Sequence, residues 1–486
     1  MMTKCQLLIK DEVNVRIEGL DANLRRTLTN RFKYEIPGAR YLPAVRLGRW
    51  DGKVSYFSLA GATYINLLPE IIPILEEQGY DIDINDVREY TTRFEFDRVT
   101  EDHFAQQTWP KGHPQQGQPI LLRDYQVDIV NRFLENPQCI QEVATGAGKT
   151  IMTATMSASV QEYGRSIVIV PNKSLVTQTE LDYRNIGLDV GVFFGDRKEF
   201  GHQHTICTWQ SLNVLLKNTQ SGDVDITIGE FLENVICVIV DEVHMAKADA
   251  LKTLLTGVMS TVPIRWGLTG TVPKEDYNKL ALLCTLGPVI GQLSASELQD
   301  QGVLAQCHVN IVQLADHKEF SNYQTELKYL LENDQRLDYI ASMIEQVRRS
   351  GNTLILIDRV GAGRALVERI RDAVFVSGAT KGTDRQEEYD EVATASDKVI
   401  VATYGVAAVG INIPRIFNLV LIEPGKSFVR VIQSIGRGIR KASDKDFVQI
   451  WDITSTCKFA KRHLTQRKNF YKEANYPFDL ERVNYI

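Results

Sequence analysis

Residues 1 to about 85 alternate apolar and polar positions at Val13-Asn14-Val15-Arg16-Ile17 and again at Val54-Ser55-Tyr56-Phe57. A period of two predicts half-buried strands. Between them Ala22 to Phe32 reads as a helix, and Leu67 to Glu77 as a second, apolar helix closed by Gly79. The stretch is predicted to be a small α+β module. Trp109 to Pro119 (WPKGHPQQGQP) then breaks both periods, because Pro and Gly continue neither a helix nor a central strand. A module over residues 1–110 followed by a linker over 111–119 is the expected division.

Beyond the linker, apolar runs alternate with amphipathic helical ones, the pattern of a parallel sheet covered on both faces. Strands are predicted at Cys139 to Val143, Ser166 to Val170, Ile206 to Thr208, Val235 to Val240 and Ile264 to Leu268. A second series follows after about residue 305, at Thr353 to Ile357, Val374 to Val376, Lys398 to Thr403, Asn418 to Ile422 and Val448 to Ile453. Two successive α/β sheets of ~150 residues each follow from this pattern. The crevice between them is expected to be lined by the carboxyl ends of their strands. Cys457 to Glu473 reads as a basic helical run within a tail over residues 457–486.

Composition narrows the class. At 486 residues, 44% apolar and 24% charged, the chain has the make-up of a multidomain globular protein. No apolar run reaches the ~18 residues that a membrane span needs, and the start lacks an h-region, so a cytoplasmic location is expected. The seven cysteines are scattered without a C-x-x-C pair and read as reduced core thiols. A net charge of −6 argues against a protein that coats nucleic acid all over. Any such contact must be local. Asp21 through Lys53 supplies one candidate: Arg25, Arg26, Arg31, Lys33, Arg40, Arg46, Arg49 and Lys53 stand against Asp21, Glu35 and Asp51, interleaved with Tyr41 and Trp50. Cations displace counterions from phosphates and rings stack on bases, so Arg46, Arg49, Trp50 and Lys53 are candidate nucleic-acid contacts. A solvated basic face is the plainer alternative. His202 and His204 lack a cysteine or acidic partner in sequence and are not expected to bind metal.

The chemistry centres on Ala144-Thr145-Gly146-Ala147-Gly148-Lys149-Thr150, set between an apolar run ending at Val143 and a helical run starting at Ile151. Gly-rich backbone that turns a strand into a helix converges several N–H groups on one small volume, at the positive end of a helix dipole. Thr145, Gly146, Ala147 and Gly148 would form this phosphate cradle. Lys149 is suited to the β- and γ-phosphates of ATP, and the Thr150 hydroxyl to Mg²⁺. Val143 stands where the full pattern asks for Gly. The apolar run Val235 to Val240 delivers Asp241 and Glu242 to its carboxyl end, the former suited to the metal and the latter to polarising water. Arg437 and Arg440, three apart on one predicted helix face, are suited to spreading charge off a transferring phosphoryl group. Asp358 to Arg364, at the corresponding turn of the second series, has glycines but no Gly-Lys-Thr, so that half is expected to close on the first half's nucleotide.

The order of these segments resembles that of the superfamily-two helicases and translocases. Leu122 to Gln126 looks like the segment whose Gln reads adenine, which would give Arg123 and Gln126 nucleotide-binding roles. ATGAGKT resembles motif I, Val170 to Gln178 motif Ia, Asp241-Glu242-Val243-His244 motif II, and Leu268 to Thr271 motif III. Leu354 to Asp358 resembles motif IV, Ala402-Thr403 with Gly410 to Pro414 motif V, and Gln433 to Arg440 motif VI. The resemblance spans roughly residues 120 to 455. Asn412 departs from the more usual Asp of motif V.

The resemblance implies two tandem RecA-like parallel-sheet domains, over 120–304 and 305–456, preceded by the small α+β substrate-binding domain. It adds Gln433 to the catalytic set and Gly410 to the nucleotide contacts, makes His244 a coupling residue of motif II, and gives Lys173, Thr177 and Thr403 sequence-independent phosphate contacts. The N-terminal module, with Pro37 to Arg40 and Gly48 to Lys53, is similar to that of the phage UvsW-type branch, related to XPB and RecG-like enzymes. What this implies is an ATP- and Mg²⁺-dependent monomeric motor acting on branched DNA such as forks, Holliday junctions and D- or R-loops, in the host cytoplasm if phage-encoded. An RNA helicase or remodeller, and an ATP-gated binding switch that does not translocate, remain as alternatives.

Overall fold

The computed structural model describes residues 3–88, 94–111, 115–222, 225–245, 248–377, 392, 395–406, 415–425 and 444–485. The chain divides into two compact units, Met1–Val143 with Gly148–Gln292, and Leu293–Ile486 with Ala144–Ala147. The fold is mixed α/β: a small N-terminal α+β region followed by two tandem RecA-like parallel-sheet domains.

The N-terminal region holds β1 (Thr3–Ile9), β2 (Asn14–Glu18), β3 (Lys33–Glu35), β4 (Lys53–Ser55), β5 (Ala62–Tyr64) and β6 (Tyr80–Asp86). Its main sheet runs β5-β2-β1-β6, while β3 and β4 pair separately and antiparallel. The helix Ala22–Arg31 starts where the Asp21 carboxylate accepts from the N–H groups of Asn23 and Leu24, at 2.8 and 2.9 Å. The strand expected at Val54 to Phe57 ends at Ser55, because Tyr56 and Phe57 are both buried and two successive inward side chains break a period of two. The region has no closed core of its own. Leu28, Phe32, Tyr56, Phe57 and Ile71 pack in one cluster with Tyr277, Leu280 and Cys284 of the helix Asp276–Leu286.

The first large sheet is built from β7 (Gln138–Val143), β8 (Arg165–Val170), β9 (Val190–Phe194), β10 (Arg197–Lys198), β11 (His204–Thr208), β12 (Val235–Val240), β13 (Ile264–Thr269) and β14 (Val289–Leu293). Its order is β10-β9-β11-β8-β12-β13-β7-β14. All six side chains of β12 are buried, as a central parallel strand covered on both faces requires. Each fully buried Val or Ile contributes about 1.5–3 kcal/mol over its exposed state. Beside it, the buried Arg265 of β13 donates to the carbonyls of Leu255, Met259 and Thr285 at 2.6, 2.6 and 2.8 Å. These bonds pin the end of the helix Ala248–Thr256 to the sheet.

The second unit carries β15 (Gln306–Leu314), β16 (Thr353–Ile357), β17 (Val374–Val376), β18 (Val399–Thr403), β19 (Asn418–Ile422), β20 (Phe447–Ser455) and β21 (Phe478–Val483), in the order β17-β18-β16-β19-β20-β15-β21. Every pairing is parallel. The segment expected to be a basic helical tail forms the helix Lys458–Glu473 and then β21, which completes the sheet by pairing with β15. Among its cations Arg467 is not a surface charge: it is buried and pairs with Asp452.

Candidate nucleotide site and nucleic-acid surfaces

The strand β7 ends at the buried Val143, and the helix Lys149–Val160 begins six residues later. Gly146 at φ +94° and Gly148 at φ +83° lie in the left-handed region that side chains avoid, which is what the two glycines supply. A Cβ at Gly148 would stand 2.5 Å from Gln126 Nε2, so the Gln126 amide would have to move. The helices starting at Ala22, Lys173 and Trp209 are capped by the side chains of Asp21, Asn172 and Thr208. The helix at Lys149 has Gly148 as its cap and no side-chain cap bond. Its first N–H groups are therefore left for an anion. A loop with glycine at two of its four positions, leading into a helix start without a side-chain cap, fits a polyphosphate.

Lys149 reaches across this start. Its Nζ stands 2.8 Å from Glu242 Oε1 and donates to the Val143 carbonyl at 3.4 Å, with its side chain 9% exposed. The carbonyl at the position of the missing glycine thus faces the lysine. Asp241 and Glu242 follow β12 directly: Asp241 N–H continues the ladder to Ile169 O at 2.9 Å, and Glu242 N–H donates to Asp241 Oδ1 at 2.9 Å. Glu242 has φ +52°, a left-handed conformation costing on the order of 1 kcal/mol for a residue with a Cβ. Its second oxygen accepts from Gly270 N–H at 3.3 Å and lies 3.4 Å from His244 Nδ1.

That histidine joins two loops. His244 Nδ1 is 2.6 Å from Thr269 Oγ1, whose own hydrogen goes to Thr271 O at 2.6 Å. The proton between them therefore sits on Nδ1, and His244 donates. The chain Lys149–Glu242–His244–Thr269 connects the ends of three strands, β7, β12 and β13. Burial pushes the Glu242 carboxyl up, but the Lys149 ammonium, His244 and the Gly270 N–H outweigh it and hold the group well below the carboxylate range. Asp241 is pushed the other way, by burial and then by the Glu242 charge. Two adjacent carboxylates are thus shifted in opposite directions.

The remaining candidates are placed as follows. Gln126 is buried in a capping box: its Oε1 accepts from Arg123 N–H at 2.9 Å at the start of the helix Asp124–Glu135. Arg123 Nη1 donates to Tyr125 Oη at 2.8 Å. Lys173 and Thr177 are exposed on the first turns of the helix Lys173–Asn185, and Thr403 is half-buried at the end of β18. In the N-terminal region Arg46, Arg49 and Lys53 are exposed, whereas Trp50 is half-buried and donates to Lys53 O at 3.1 Å. Tyr41, 69% exposed under the Arg40 guanidinium at 4.8 Å, is the more open ring. Gly410, Gln433, Arg437 and Arg440 lie outside the described residues.

His202 and His204 do not form a metal pair: His202 binds Asp189 at 2.7 Å, and the buried His204 binds Ser166 Oγ at 2.8 Å. Among the described residues no group of three or more His, Cys, Asp and Glu could hold a metal, and no helix is long and apolar enough to cross a membrane. All seven cysteines are free and buried, as expected.

A phosphate cradle, a lysine and an acidic pair at the carboxyl end of one of two tandem parallel sheets define a nucleoside-triphosphate-driven motor of the helicase class. Residues 119–274 match the family described as type III restriction enzyme, res subunit, and residues 332–442 match the helicase conserved C-terminal domain. The chain is similar to the ATP-dependent DNA helicase uvsW of Enterobacteria phage T4, 24% identical over 96% of this chain and 93% of that one. It is 22% identical to the DNA 3'-5' helicase XPB of Kineococcus radiotolerans, over 74% of this chain and 64% of that one. In fold it is similar to the ATP-dependent type ISP restriction-modification enzyme LlaBIII bound to DNA, with a TM-score of 0.58 and 15% identity, covering 86% of this chain and 34% of that one. The chain carries both of these domains and is an ATP-hydrolysing helicase similar to the UvsW and XPB enzymes.

Proposed function

We propose that the chain is an ATP-driven motor that acts on branched DNA, with a substrate-binding module over 1–110, a linker over 111–119 and motor domains over 120–304 and 305–456. The observation that carries the hydrolytic part is the Lys149–Glu242 pair at the uncapped start of the Lys149–Val160 helix. The two groups satisfy each other. On binding, Lys149 exchanges its carboxylate partner for phosphate oxygens, and Glu242 is released to take a proton from the attacking water. His244 Nδ1 bonds Thr269 at 2.6 Å and lies 3.4 Å from Glu242 Oε2, so it links the two loops.

One carboxylate and one hydroxyl, Asp241 and Thr150, form a donor set that fits Mg²⁺, which is held by few protein ligands together with phosphate oxygens. When bound it supplies positive charge against the charge developing on the phosphates. Arg437 and Arg440, with Gln433, take the charge of the transferring group in this reading.

Support for a DNA substrate comes from the relatives' names and from the exposed cations Arg46, Arg49 and Lys53 beside Tyr41. The branched substrate rests on the likeness to uvsW over nearly the whole of both chains. Unwinding of a fork, a Holliday junction and a linear duplex with equal ends, measured side by side, tests it. Preference for the linear duplex would remove the branched-substrate reading.

A further inference from the structure

Strand β19 ends in the turn Glu423-Pro424-Gly425, immediately before the stretch of sequence that holds Gln433, Arg437 and Arg440. Two of its three residues are left-handed, Glu423 at φ +42° and Gly425 at φ +70°. Gly425 adopts this conformation freely, but at Glu423, which carries a Cβ, such backbone persists only where its surroundings fix it. Here the fixing is ionic and buried. Glu423 Oε1 accepts from Arg336 Nη2 at 2.6 Å, and Arg336 also donates to Leu330 O at 2.8 Å and pairs with Asp316 at 3.5 Å. On the other side Arg467 grips Asp452 with two parallel bonds of 2.8 and 2.9 Å, and its remaining Nη1 donates to the Gly425 carbonyl at 2.9 Å. Tyr471 Oη adds a third bond to Asp452, at 2.7 Å.

Buried ion pairs are a poor way to gain stability, because desolvation cancels much of the attraction, but they fix geometry well. Both arginines are almost wholly buried, and each reaches the same three-residue turn from a different helix. We infer that Arg467 and Glu423 are positioning residues for ATP hydrolysis, clamping the turn from which the segment with Arg437 and Arg440 departs. The C-terminal helix is in this view a working part of the motor. The inference rests on the reading that Arg437 and Arg440 serve hydrolysis.

The test is Arg467→Lys, which keeps a cation beside Asp452 but cannot hold both carboxylate oxygens and the Gly425 carbonyl at once. The expected result in the full chain, assayed well below the variant's lowered melting temperature, is a kcat for DNA-stimulated ATP hydrolysis lowered on the order of 10-fold, with KM for ATP within about twofold. Glu423→Gln, which keeps the shape of the clamp, should show the same split and serves if Arg467→Lys does not fold. Wild-type kcat in both variants overturns the inference, as does a loss that disappears on cooling and so follows unfolding alone. Arg437→Ala separates the two levels. Inactive Arg437→Ala beside active Arg467→Lys removes only the clamp, whereas active Arg437→Ala removes the reading beneath it.

Discussion

Lys149 Nζ and Glu242 Oε1 stand 2.8 Å apart, so the lysine and the carboxylate of the proposed hydrolytic site are paired with each other. Glu242→Gln weakens that hold and removes a negative charge from the site. The variant is expected to bind ATP several-fold tighter than wild type while losing hydrolysis by at least about 100-fold. Fluorescent-nucleotide titration and steady-state hydrolysis check both halves. Weaker binding would show that the pair does not compete with nucleotide.

Lys149→Ala makes the complementary case. It leaves the Glu242 carboxylate buried beside Asp241 without its main counter-charge, so both nucleotide binding and hydrolysis should fall. DNA binding in the absence of nucleotide should be largely retained, as read by gel shift or anisotropy.

The buried bond between His244 and Thr269 can be broken with little change in volume. Thr269→Val removes the acceptor of the Thr271 N–H and the shorter of two acceptors near His244 Nδ1, at a cost of about 1–3 kcal/mol. A lower urea midpoint is expected, with Thr269→Ser close to wild type. Equal midpoints for the Val and Ser variants would show that the hydroxyl contributes nothing.

His204 gives the first sheet a defined acid sensitivity. Its burial lowers its pKa to about 4, below the usual histidine value, while Nδ1 stays bonded to Ser166. The unfolded chain therefore binds the proton first as pH falls, and stability present above about 6.5 is lost towards 4, at up to about 1.4 kcal/mol per pH unit. Urea midpoints at pH 7, 6 and 5 should decline more steeply in wild type than in His204→Asn.

Removing charge at Arg46, Arg49 and Lys53 together should weaken DNA binding. It should also flatten the salt dependence by about 0.9 for each phosphate no longer neutralised, sparing DNA-independent hydrolysis. An unchanged slope returns these residues to a solvated basic face.

Most parallel strands of both sheets were legible because continuous apolar runs such as Val235–Val240 carry their own signal, and the edge strand β17 was among them. β9, β14, β15 and β21 were not. β21 is mostly exposed and β15 mixes His, Asn and Gln with its apolar positions, so neither shows a clean run, and their partners are distant in sequence. The glycine loop and the acidic pair could be read from residue type and order. What could not be read was partnership: that His244 would bond Thr269, that Gln126 would cap its own helix, or that Arg467, in a run that looks like surface charge, would be buried against Asp452. Burial of a cation leaves no local trace when its counter-charge comes from another element. The same holds for Arg265, whose acceptors are backbone carbonyls.

If ATP hydrolysis at Lys149 and Glu242 drives movement on branched DNA, steady-state hydrolysis titrated with forked DNA, single-stranded DNA and RNA at one salt concentration will show it. The strongest stimulation and lowest half-saturation are expected with the fork, and no stimulated turnover in Glu242→Gln. Stimulation by RNA alone, or equal turnover with and without any nucleic acid, would contradict it.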